Sequence, residues 1–331
     1  MSIEGDLRDA LAANREQAVE LSGTTGRRAL LRVLRAAEGE LARRLHQAPG
    51  LRGVGSAETF TEARMLSTLA QVREVSRGLQ EALGGVVEDA GGQAAGAAAG
   101  DVLGYLAAAE RAFRGAGSVL PVREAMMLDA ASQGAKASLL RRLAGEGDAG
   151  VLGRYGVATV AHFERTLQVG LAAGLPTSEV RAQLIEGSPF LQGAPAHWAE
   201  RIVRSEVHGA YARAAHGAMR SAQRQLGDVV RVVTATFDDR TGADSWNVHG
   251  QVRRVAEAFE YVRGDGGREL FLTPPNRPND REVVVVHRLS WGPVPPGLRP
   301  KGTGEVQARY ARDGARFHGR PSPMSTVPQL R

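Results

Sequence analysis

Apolar residues recur every three to four positions through the first two-thirds of the chain, which is the period of an amphipathic helix. Gly and Pro residues divide this pattern into segments, because both residue types interrupt helices. The pattern predicts helices over about 25–47, 59–83, 102–113, 121–143 and 196–226, with two shorter helices inside 150–186. Gly174, Leu175 and Pro176 separate the two shorter helices, and Thr177 favours an N-terminal cap for the second.

Residues 84–100 depart from this pattern because nearly all of them are Gly or Ala. Small residues let two helices approach closely, but each Gly costs a helix about 1 kcal/mol relative to Ala. Two interpretations of this stretch therefore stay open, namely a tightly packed helix seam and a flexible hinge.

The period changes to that of β-strands after Gly227. Runs rich in β-branched residues predict strands over 229–237, 269–272 and 282–287, with shorter extended pieces at 251–255 and 259–262. From Ser290 onward Pro and Gly are dense, which predicts an irregular arm with a short helix near 305–316.

These patterns predict an α+β protein in three parts. The first is a mainly α-helical N-terminal region over 1–195, with the candidate hinge at 84–100. The second is a small β-containing module over 196–290, led by a long helix, and the third is a basic, extended, Pro/Gly-rich tail over 291–331. A chain of 331 residues is long enough for about two domains that each have a core.

The net charge of the chain is +6, and all of it comes from the C-terminal end. Residues 288–331 contain eight basic and two acidic side chains, so 8 − 2 accounts for the whole excess. The distribution predicts a neutral body with a basic arm that contacts DNA or an acidic partner. The candidate contacts are Arg299, Lys301, Arg309, Arg312, Arg316 and Arg320.

Composition and motifs exclude several classes of site. The chain has no cysteine, so disulfides and cysteine-ligated zinc are ruled out. It has no apolar run of about 18 residues and its first residues are polar, so we expect neither a membrane span nor a signal peptide. Phosphate-binding loops, nucleophile elbows and H-E-x-x-H zinc motifs are absent from the sequence, and we expect no cofactor.

The densest polar residues lie in the small module, at the ends of predicted strands. One hypothesis is a catalytic or metal site, since carboxylates and imidazole serve as acids, bases and ligands. Its members would be Asp238, Asp239, His249 and Asp280. The other hypothesis is a network that locks loops together, in which Arg240 pairs with Asp239 or Asp280 and His249 caps a turn. We favour the second because no nucleophile or set of oxyanion donors accompanies these residues.

Four motifs follow one another in this part of the chain. The long helix contains an R-x-E element, a D-x-R-T turn follows the first strand, a His-Gly pair comes next, and a Pro-rich block closes the module. Their residues are Arg201, Arg204, Glu206, Asp239, Arg240, Thr241, His249, Gly250, Pro274, Pro275, Pro278, Asn279, Asp280 and Arg281. In order and spacing, residues 196–290 resemble the phage head morphogenesis family, also described as phage Mu F-like minor head proteins.

The chain departs from that family at two places. Many members carry a Cys pair after the R-T and a C-R-C at the end, which suggests a small metal knot. Here residues 242–245 and 279–282 contain no cysteine, so a soft metal site is not supported. We expect salt bridges and backbone hydrogen bonds to join the two loops instead.

The resemblance implies a structural protein of a tailed-phage or prophage head, without catalytic activity. Proteins of the family are minor components that act in head assembly, DNA packaging or delivery. The implied partners are the portal protein, the major capsid protein or scaffold, and packaged double-stranded DNA bound non-specifically. The implied location is the capsid interior near the portal in the virion, and the host cytoplasm during assembly.

Two other functions stay open from the residues themselves. One is a hydrolase or toxin-like effector that uses Asp238, Asp239 and His249. Only about forty residues follow the last predicted strand, however, which is too few for a catalytic domain of ordinary size. The other is a non-specific DNA-binding protein that acts through its basic tail.

Overall fold

A computed structural model describes residues 26–47, 61–114, 133–135, 137–139, 151–186, 194–239, 241–262, 267–274 and 282–314. Helices make up most of these residues, and the strands lie in their C-terminal part. The protein therefore has the predicted α+β class, with a mainly helical N-terminal part followed by a small β-containing part. Among the described residues, no helix is both long enough and apolar enough to span a membrane.

All the described strands follow the fifth helix. The helices are α1 (Gly26–Gln47), α2 (Glu62–Arg114), α3 (Val151–Ala172), α4 (Thr177–Glu186), α5 (Ala194–Leu226), α6 (Ala243–Val248) and α7 (Thr303–Arg312). The strands are β1 (Val229–Thr234), β2 (Val252–Arg254), β3 (Phe259–Val262), β4 (Arg268–Phe271) and β5 (Val283–Arg288). Short 3₁₀ turns span Leu289–Trp291 and Pro296–Leu298. Residues 133–135 and 137–139 are helical, and the rest of the helix predicted over 121–143 lies outside the described residues.

The chain divides into two compact units, each assembled from separate stretches of sequence. The helical unit contains the described residues within Gly23–Ala90 and Ser138–Arg204, and the sheet unit contains those within Gly91–Ala137 and Ser205–Arg331. This division does not follow the predicted boundaries at 195 and 290. The reason is that the C-terminal half of α2 and the residues after 290 both pack with the sheet.

In the helical unit, α1 forms because its leucines share one face. Leu30, Leu34, Leu41 and Leu45 are each at most 2 % exposed. Their spacing of four, seven and four residues is that of one helix face, which confirms the predicted helix. On the other side, the Arg44 guanidinium lies 2.8 Å from the Glu74 carboxylate of α2.

Helix α2 continues without interruption through the Gly/Ala stretch at 84–100. Several small side chains in this stretch are fully buried, namely Val87, Ala94, Ala95, Ala98 and Ala99. The packing of these side chains offsets the free energy that the intervening glycines cost the helix. The stretch is therefore part of a helix and not a break. The prediction of two helices, one ending near 83 and the next beginning at 102, is wrong.

The turn between α3 and α4 forms where Gly174 and Pro176 predict it. Gly174 has a φ of +62°, a conformation that a residue without Cβ adopts at low cost. Its amide donates to the carbonyl of Leu171 at 3.1 Å, and the Leu175 amide donates to the carbonyl of Gly170 at 3.0 Å. These two bonds form a Schellman motif that ends α3. Just before it, a Cβ on Gly170 would come within 2.6 Å of the Val180 side chain in α4.

Replacement of Gly96 and of Gly170 by alanine is expected to change the stability of the protein in opposite directions. Gly96 in α2 is exposed and has open space around its Cβ position, so Gly96→Ala should stabilise the helix by up to about 1 kcal/mol. Gly170→Ala should destabilise the protein by about 1–3 kcal/mol, because its Cβ would overlap Val180. Urea denaturation of both variants measures the difference. Destabilisation by Gly96→Ala would contradict a regular helix through residues 84–100.

The sheet unit contains a three-stranded antiparallel sheet in the order β2-β1-β5 and a separate hairpin of β3 and β4. Strand β1 is central, and all six of its residues are buried. Successive side chains of a strand point to opposite faces. Accordingly Val233 packs with the hairpin residues Phe259 and Phe271, whereas Val232 packs with Val285 and Leu298.

Residues 289–314, called the C-terminal strap below, fold onto the sheet unit. Leu298 packs on the sheet, and α7 packs on α6 through Val306 and Tyr310. The extended tail predicted from 291 onward is thus wrong for residues up to 314, because apolar side chains among the Pro and Gly residues anchor the segment. The short helix predicted near 305–316 lies at Thr303–Arg312. Residues 315–331 lie outside the described residues.

Candidate functional site

The D-x-R-T motif forms a tight turn shortly after β1. The Thr241 amide donates to the carbonyl of Asp238 at 3.2 Å, which closes a four-residue turn. The Thr241 hydroxyl donates to the carbonyl of Thr236 and accepts from the Asp238 amide at 3.2 Å. It also lies 3.0 Å from the Asp238 carboxylate. One buried threonine therefore fixes both arms of the turn. Arg240 lies outside the described residues.

His249 joins the end of α6 to the segment that follows β1. The Ala235 amide donates to Nδ1 of His249 at 3.1 Å. The imidazole is 1 % exposed and packs edge-on against the ring of Phe237, with 4.5 Å between centroids. The ring thus holds the backbone of Ala235 in place.

Gly250 occupies a position that no other residue fits. Its φ is +80°, and its amide donates to the carbonyl of Val233 at 2.8 Å. The backbone of the strap passes directly over it, so that a Cβ would lie 2.2 Å from the nitrogen of Pro300. Gly250 therefore contacts both β1 and the strap, and His249 contacts the segment that follows β1.

Arg309 of α7 closes the same turn from the other side. Its side chain is 5 % exposed, and its Nη2 donates to the carbonyl of Thr241 and, at 3.4 Å, to that of Asp239. Nε lies 3.3 Å from the carboxylate of Asp313. Arg309 was predicted to contact DNA or an acidic partner, and in the structure its guanidinium is buried on backbone carbonyls of the turn. The charge pattern of the sequence does not distinguish a buried arginine from an exposed one.

Arg309→Ala is expected to lower the free energy of unfolding by about 2 kcal/mol, because two turn carbonyls lose a charged donor. The matched control is Arg312→Ala, whose side chain is 54 % exposed. The control should change the free energy of unfolding by less than about 0.5 kcal/mol. Equal effects of the two substitutions on the urea midpoint would show that Arg309 is not structural.

The other predicted arm contacts have different surroundings. Arg299 is exposed and its Nε donates to the carbonyl of Val294 at 3.1 Å, and Arg312 is exposed near Asp313. The Lys301 ammonium lies 4.6 Å from the centroid of the Phe237 ring, a cation–π distance, and 3.7 Å from Glu305. Arg316 and Arg320 lie outside the described residues.

The motif residues of α5 and of the Pro-rich block are only partly described. Glu206 is buried, and the side chains of Arg201 and Arg204 are not described. Pro274 is buried, and the remaining residues of the block, Pro275, Pro278, Asn279, Asp280 and Arg281, lie outside the described residues. The expected pairing of Arg240 with Asp280 lies outside them as well.

Asp238 and Asp239 are exposed on the turn, whereas the His249 ring is buried and accepts an amide at Nδ1. Within the described ranges, no group of three or more His, Asp or Glu side chains is placed to hold a metal ion. The structure thus gives these three residues different environments, and Asp280 lies outside the described residues.

The comparisons with known proteins add no relative. No protein-family model matches the chain, and neither the curated proteins nor the solved structures contain a match.

A buried ionic cluster, called the clasp below, joins the end of α2 to the end of β5. The Glu110 carboxylate is 3 % exposed and accepts from Arg288 at 3.0 Å and from the indole nitrogen of Trp291 at 2.7 Å. Arg288 also donates to Asp228 at 2.8 Å, and Arg114 lies 3.1 Å from Glu110. No sequence pattern indicates the clasp, because Glu110 lies 178 and 181 positions from Arg288 and Trp291.

The surroundings of Asp228 in the clasp lower the pKa of its carboxyl group. Burial alone would raise the pKa of Asp228, but the hydrogen bonds from Arg288 and Ser290 outweigh it and lower the pKa. Next to this pair, the rings of Phe113 and Trp291 stack with 5.4 Å between centroids. The clasp therefore combines paired charges with aromatic packing around the start of the strap.

Arg231 is a fully buried arginine in the centre of β1. Its guanidinium donates to the carbonyls of Leu272, at 2.6 Å, and Glu257, and it lies over the ring of Phe259. Nη1 also lies 3.1 Å from Nδ1 of His216 in α5. Burial lowers the pKa of Arg231 to about 10. One side chain thus ties the hairpin and α5 to the central strand.

The sheet unit is expected to lose stability as the pH falls from about 6.5 toward 4. Burial, followed by the charges of Arg231 and Arg220, lowers the pKa of His216 to about 4. The unfolded chain therefore binds the proton first, so the stabilisation is complete above the unfolded pKa and is lost below it. Burial lowers the pKa of His208 and His287 as well, which acts in the same direction.

Urea midpoints at pH 7.5 and 4.5 measure this loss. His216→Gln should remove about 1–2 kcal/mol of it, a figure reduced because the ring is partly exposed to solvent. A variant with unchanged pH dependence would show that His216 is not a source of the acid sensitivity.

A small cavity lies where α2 and α5 meet β5. Its volume is about 20 Å³, enough for one water molecule, and Asp101, Tyr105, Tyr211 and Thr234 are among its lining residues. The Tyr211 hydroxyl donates to Asp101 at 2.6 Å. Burial raises the pKa of Asp101 and, to about 12, that of Tyr105. A cavity of this size has room for a water molecule on these polar groups but not for a larger ligand.

Proposed function

We propose that the protein is a structural minor head protein of a tailed phage or prophage, which acts in head assembly, DNA packaging or delivery. The observation that supports this proposal is the role of the residues that carry the resemblance. Thr241, His249 and Gly250 each fix backbone around a single turn. Arg309 completes the arrangement from the strap.

Such a module suits a protein that holds its shape inside an assembly. The turn is fixed by hydrogen bonds, ring contacts and a backbone-to-backbone contact at once. A rigid surface loses little conformational entropy when it binds, which favours stable docking. We therefore propose the portal protein and the major capsid protein or scaffold as partners, and the capsid interior near the portal as the location.

Purified particles test this proposal. Head particles are separated on a density gradient from a lysate of the host that carries the phage or prophage, and their proteins are quantified by mass spectrometry. The chain should be present in the particle fraction at low abundance relative to the major capsid protein. It should leave that fraction when the portal gene is deleted. Its absence from portal-containing particles would overturn the proposal.

Packaged double-stranded DNA is a further proposed partner, through the basic end of the chain. Arg299 and Arg312 are exposed in the strap, and residues 315–331 contain three more arginines. A chain that ends at Gly314 keeps α7 and the turn contacts intact, so it is the suitable truncation. Full-length protein should bind duplex DNA with an affinity that falls steeply with salt, and the truncated chain should bind more weakly. Equal binding would show that residues 315–331 do not contact DNA.

A further inference from the structure

The face of α1 that lies opposite its buried leucines carries basic and small residues. Residues three or four positions apart share one face of a helix. Seven exposed positions lie on this face at such spacings and are called the arginine stripe below, namely Arg28, Arg32, Arg35, Ala36, Gly39, Arg43 and His46. The helix therefore has one face in the core of the helical unit and one in solvent, and no carboxylate occupies a position of the stripe.

Positive charge is concentrated in α1, although residues 1–287 are neutral as a whole. The helix has six arginines and two glutamates, so 6 − 2 gives a net charge of +4 in 22 residues. Glu40 lies 2.6 Å from Arg43 and 2.6 Å from Arg44, and it neutralises the C-terminal part of the helix in this way. Glu38 attracts Arg35. The excess of positive charge is therefore largest at the N-terminal end of the stripe.

This N-terminal end carries its charge at a cost to the helix. Within the described residues, neither Arg28 nor Arg32 pairs with a carboxylate. The two are four positions apart, a spacing at which like charges destabilise a helix. The first turn of α1 has no acidic residue, and positive side chains at a helix N-terminus oppose the helix dipole. A local cost without a compensating contact inside the protein is expected where the side chains contact another molecule.

The exposed arginines of α2 show a different charge pattern. Arg73 and Arg77 are exposed and have the same spacing as the first two arginines of the stripe. Glu74 follows Arg73 directly, and Glu81 lies one turn after Arg77. Positive and negative charges are thus interspersed on this part of α2, as is typical of a solvated helix. The two helices differ in charge pattern and not in exposure, so α2 supplies a matched control.

Regularly spaced arginines suit the phosphates of a nucleic acid. The guanidinium group presents its donors in a planar fork that matches phosphate oxygens. From Arg28 to Arg35 the helix rises about 10.5 Å, a length over which one strand of DNA presents about three phosphates. The stripe offers three arginines over the same length.

The other residues of the stripe favour a duplex over a single strand or a protein. Ala36 and Gly39 leave room for the helix to approach the DNA backbone. The stripe has no aromatic ring on which an unpaired base could stack. It also has no large apolar side chain, which the centre of a protein interface normally contains.

We propose that the arginine stripe of α1 binds the phosphate backbone of double-stranded DNA, without reading its sequence. This inference goes beyond the proposed function, because it assigns a DNA contact to the helical unit in addition to the basic end of the chain. The contact is electrostatic, so it weakens as salt rises.

Binding of the full-length protein to a DNA duplex of about 30 base pairs tests the contact, with fluorescence anisotropy measured between about 50 and 200 mM salt. The double substitution Arg28→Gln and Arg32→Gln should weaken binding at low salt by about tenfold or more. It should also reduce the slope of log affinity against log salt by about 2, because each lost phosphate contact removes about 0.9. Duplexes of unrelated sequence should give the same affinity.

The double substitution Arg73→Gln and Arg77→Gln is the control, because it removes the same charge at the same spacing. It should leave the affinity within about twofold of wild type. Equal weakening by the two double substitutions would show that DNA responds to net charge alone, and would overturn the proposal. Loss of the like-charge pair relieves α1, so the Arg28 and Arg32 variant should melt at or above the wild-type temperature.

Chemical modification of the wild-type protein tests the contact without any substitution. Phenylglyoxal modifies exposed arginines, and mass spectrometry locates the modified residues. Arg28 and Arg32 should react readily in the protein alone and much more slowly with duplex DNA present, whereas Arg73 should react equally in both.

Two results of the modification experiment would overturn the proposal. Slow reaction of Arg28 and Arg32 without DNA would mean that another part of the chain covers the stripe, for which residues 1–25, with five carboxylates and two arginines, are suited by charge. Rapid reaction that DNA does not change would leave an acidic protein as the partner of the stripe.

Failure of this inference is distinguishable from failure of the proposed function. If the chain is present in head particles and the stripe does not bind DNA, the proposed function stands without this contact. If the stripe binds DNA and the chain is absent from portal-containing particles, the contact stands and the proposed function falls.

Discussion

Gly250→Ala is expected to lower the free energy of unfolding by about 3–5 kcal/mol. Two separate costs contribute to this figure. Left-handed backbone at φ +80° costs a residue with a Cβ about 1–2 kcal/mol. The new Cβ would also meet the backbone of Pro300 at 2.2 Å, and backbone cannot move aside as a side chain can. The strap would have to lift from the sheet unit or the turn would have to distort.

Gly227→Ala is the control for the first cost alone. Gly227 has a φ of +77° but open space where its Cβ would be, so its substitution should cost only about 1–2 kcal/mol. Urea denaturation followed by circular dichroism gives both values. Similar losses for the two variants would mean that the strap yields at Pro300 without cost, and that its contact with Gly250 is not rigid.

Glu110→Gln is expected to lower the free energy of unfolding by about 3 kcal/mol or more. The carboxylate is 3 % exposed and neutralises Arg288 and Arg114 while it accepts the indole N–H of Trp291. Glutamine keeps the shape but not the charge, and its amide brings donors where donors already converge. Removal of one partner from a buried ion cluster leaves the other charge without compensation.

Glu74→Gln provides the control for the loss of an ion pair at the surface. Glu74 is 55 % exposed beside Arg44, so its substitution should cost less than about 1 kcal/mol. Trp291→Phe, alone and combined with Glu110→Gln, measures the coupling between the indole and the carboxylate. Additive losses in this cycle would show that the hydrogen bond between them does not contribute.

The sequence predicts the regular elements well wherever apolar residues keep one period. Helices α1 and α5 and strands β1 and β5 lie within a few residues of their predicted bounds. For residues 84–100 the sequence leaves a packed helix and a hinge open, and the structure has a continuous helix, because alanines are buried there and the low helix propensity of glycine is too weak to decide. The sequence does not predict helix α6, since its Asp, Ser and Asn residues favour turns when no tertiary contact opposes them.

Only the part of the site that is formed by residues close together in sequence could be predicted. The D-x-R-T and His-Gly motifs indicate a loop network because their residues bond to nearby backbone. The contribution of Arg309, however, depends on a contact with Thr241, 68 positions away, that no spacing rule reports. The same holds for the backbone contact between Gly250 and Pro300. The Pro and Gly content of the strap predicts an irregular arm, although a few apolar side chains suffice to anchor it on the sheet unit.

The clasp has a consequence for synthesis of the chain on the ribosome. Glu110 meets Arg288 and Trp291 across 178 and 181 positions of sequence. Until residue 291 has left the exit tunnel, the Glu110 carboxylate has neither of these partners and stays hydrated. Contacts of such high sequence separation make folding slow and expose unfinished apolar surface to aggregation. The sheet unit should therefore complete its folding only after residue 291 has left the tunnel, and its yield in the cell should depend on chaperones more than that of the helical unit.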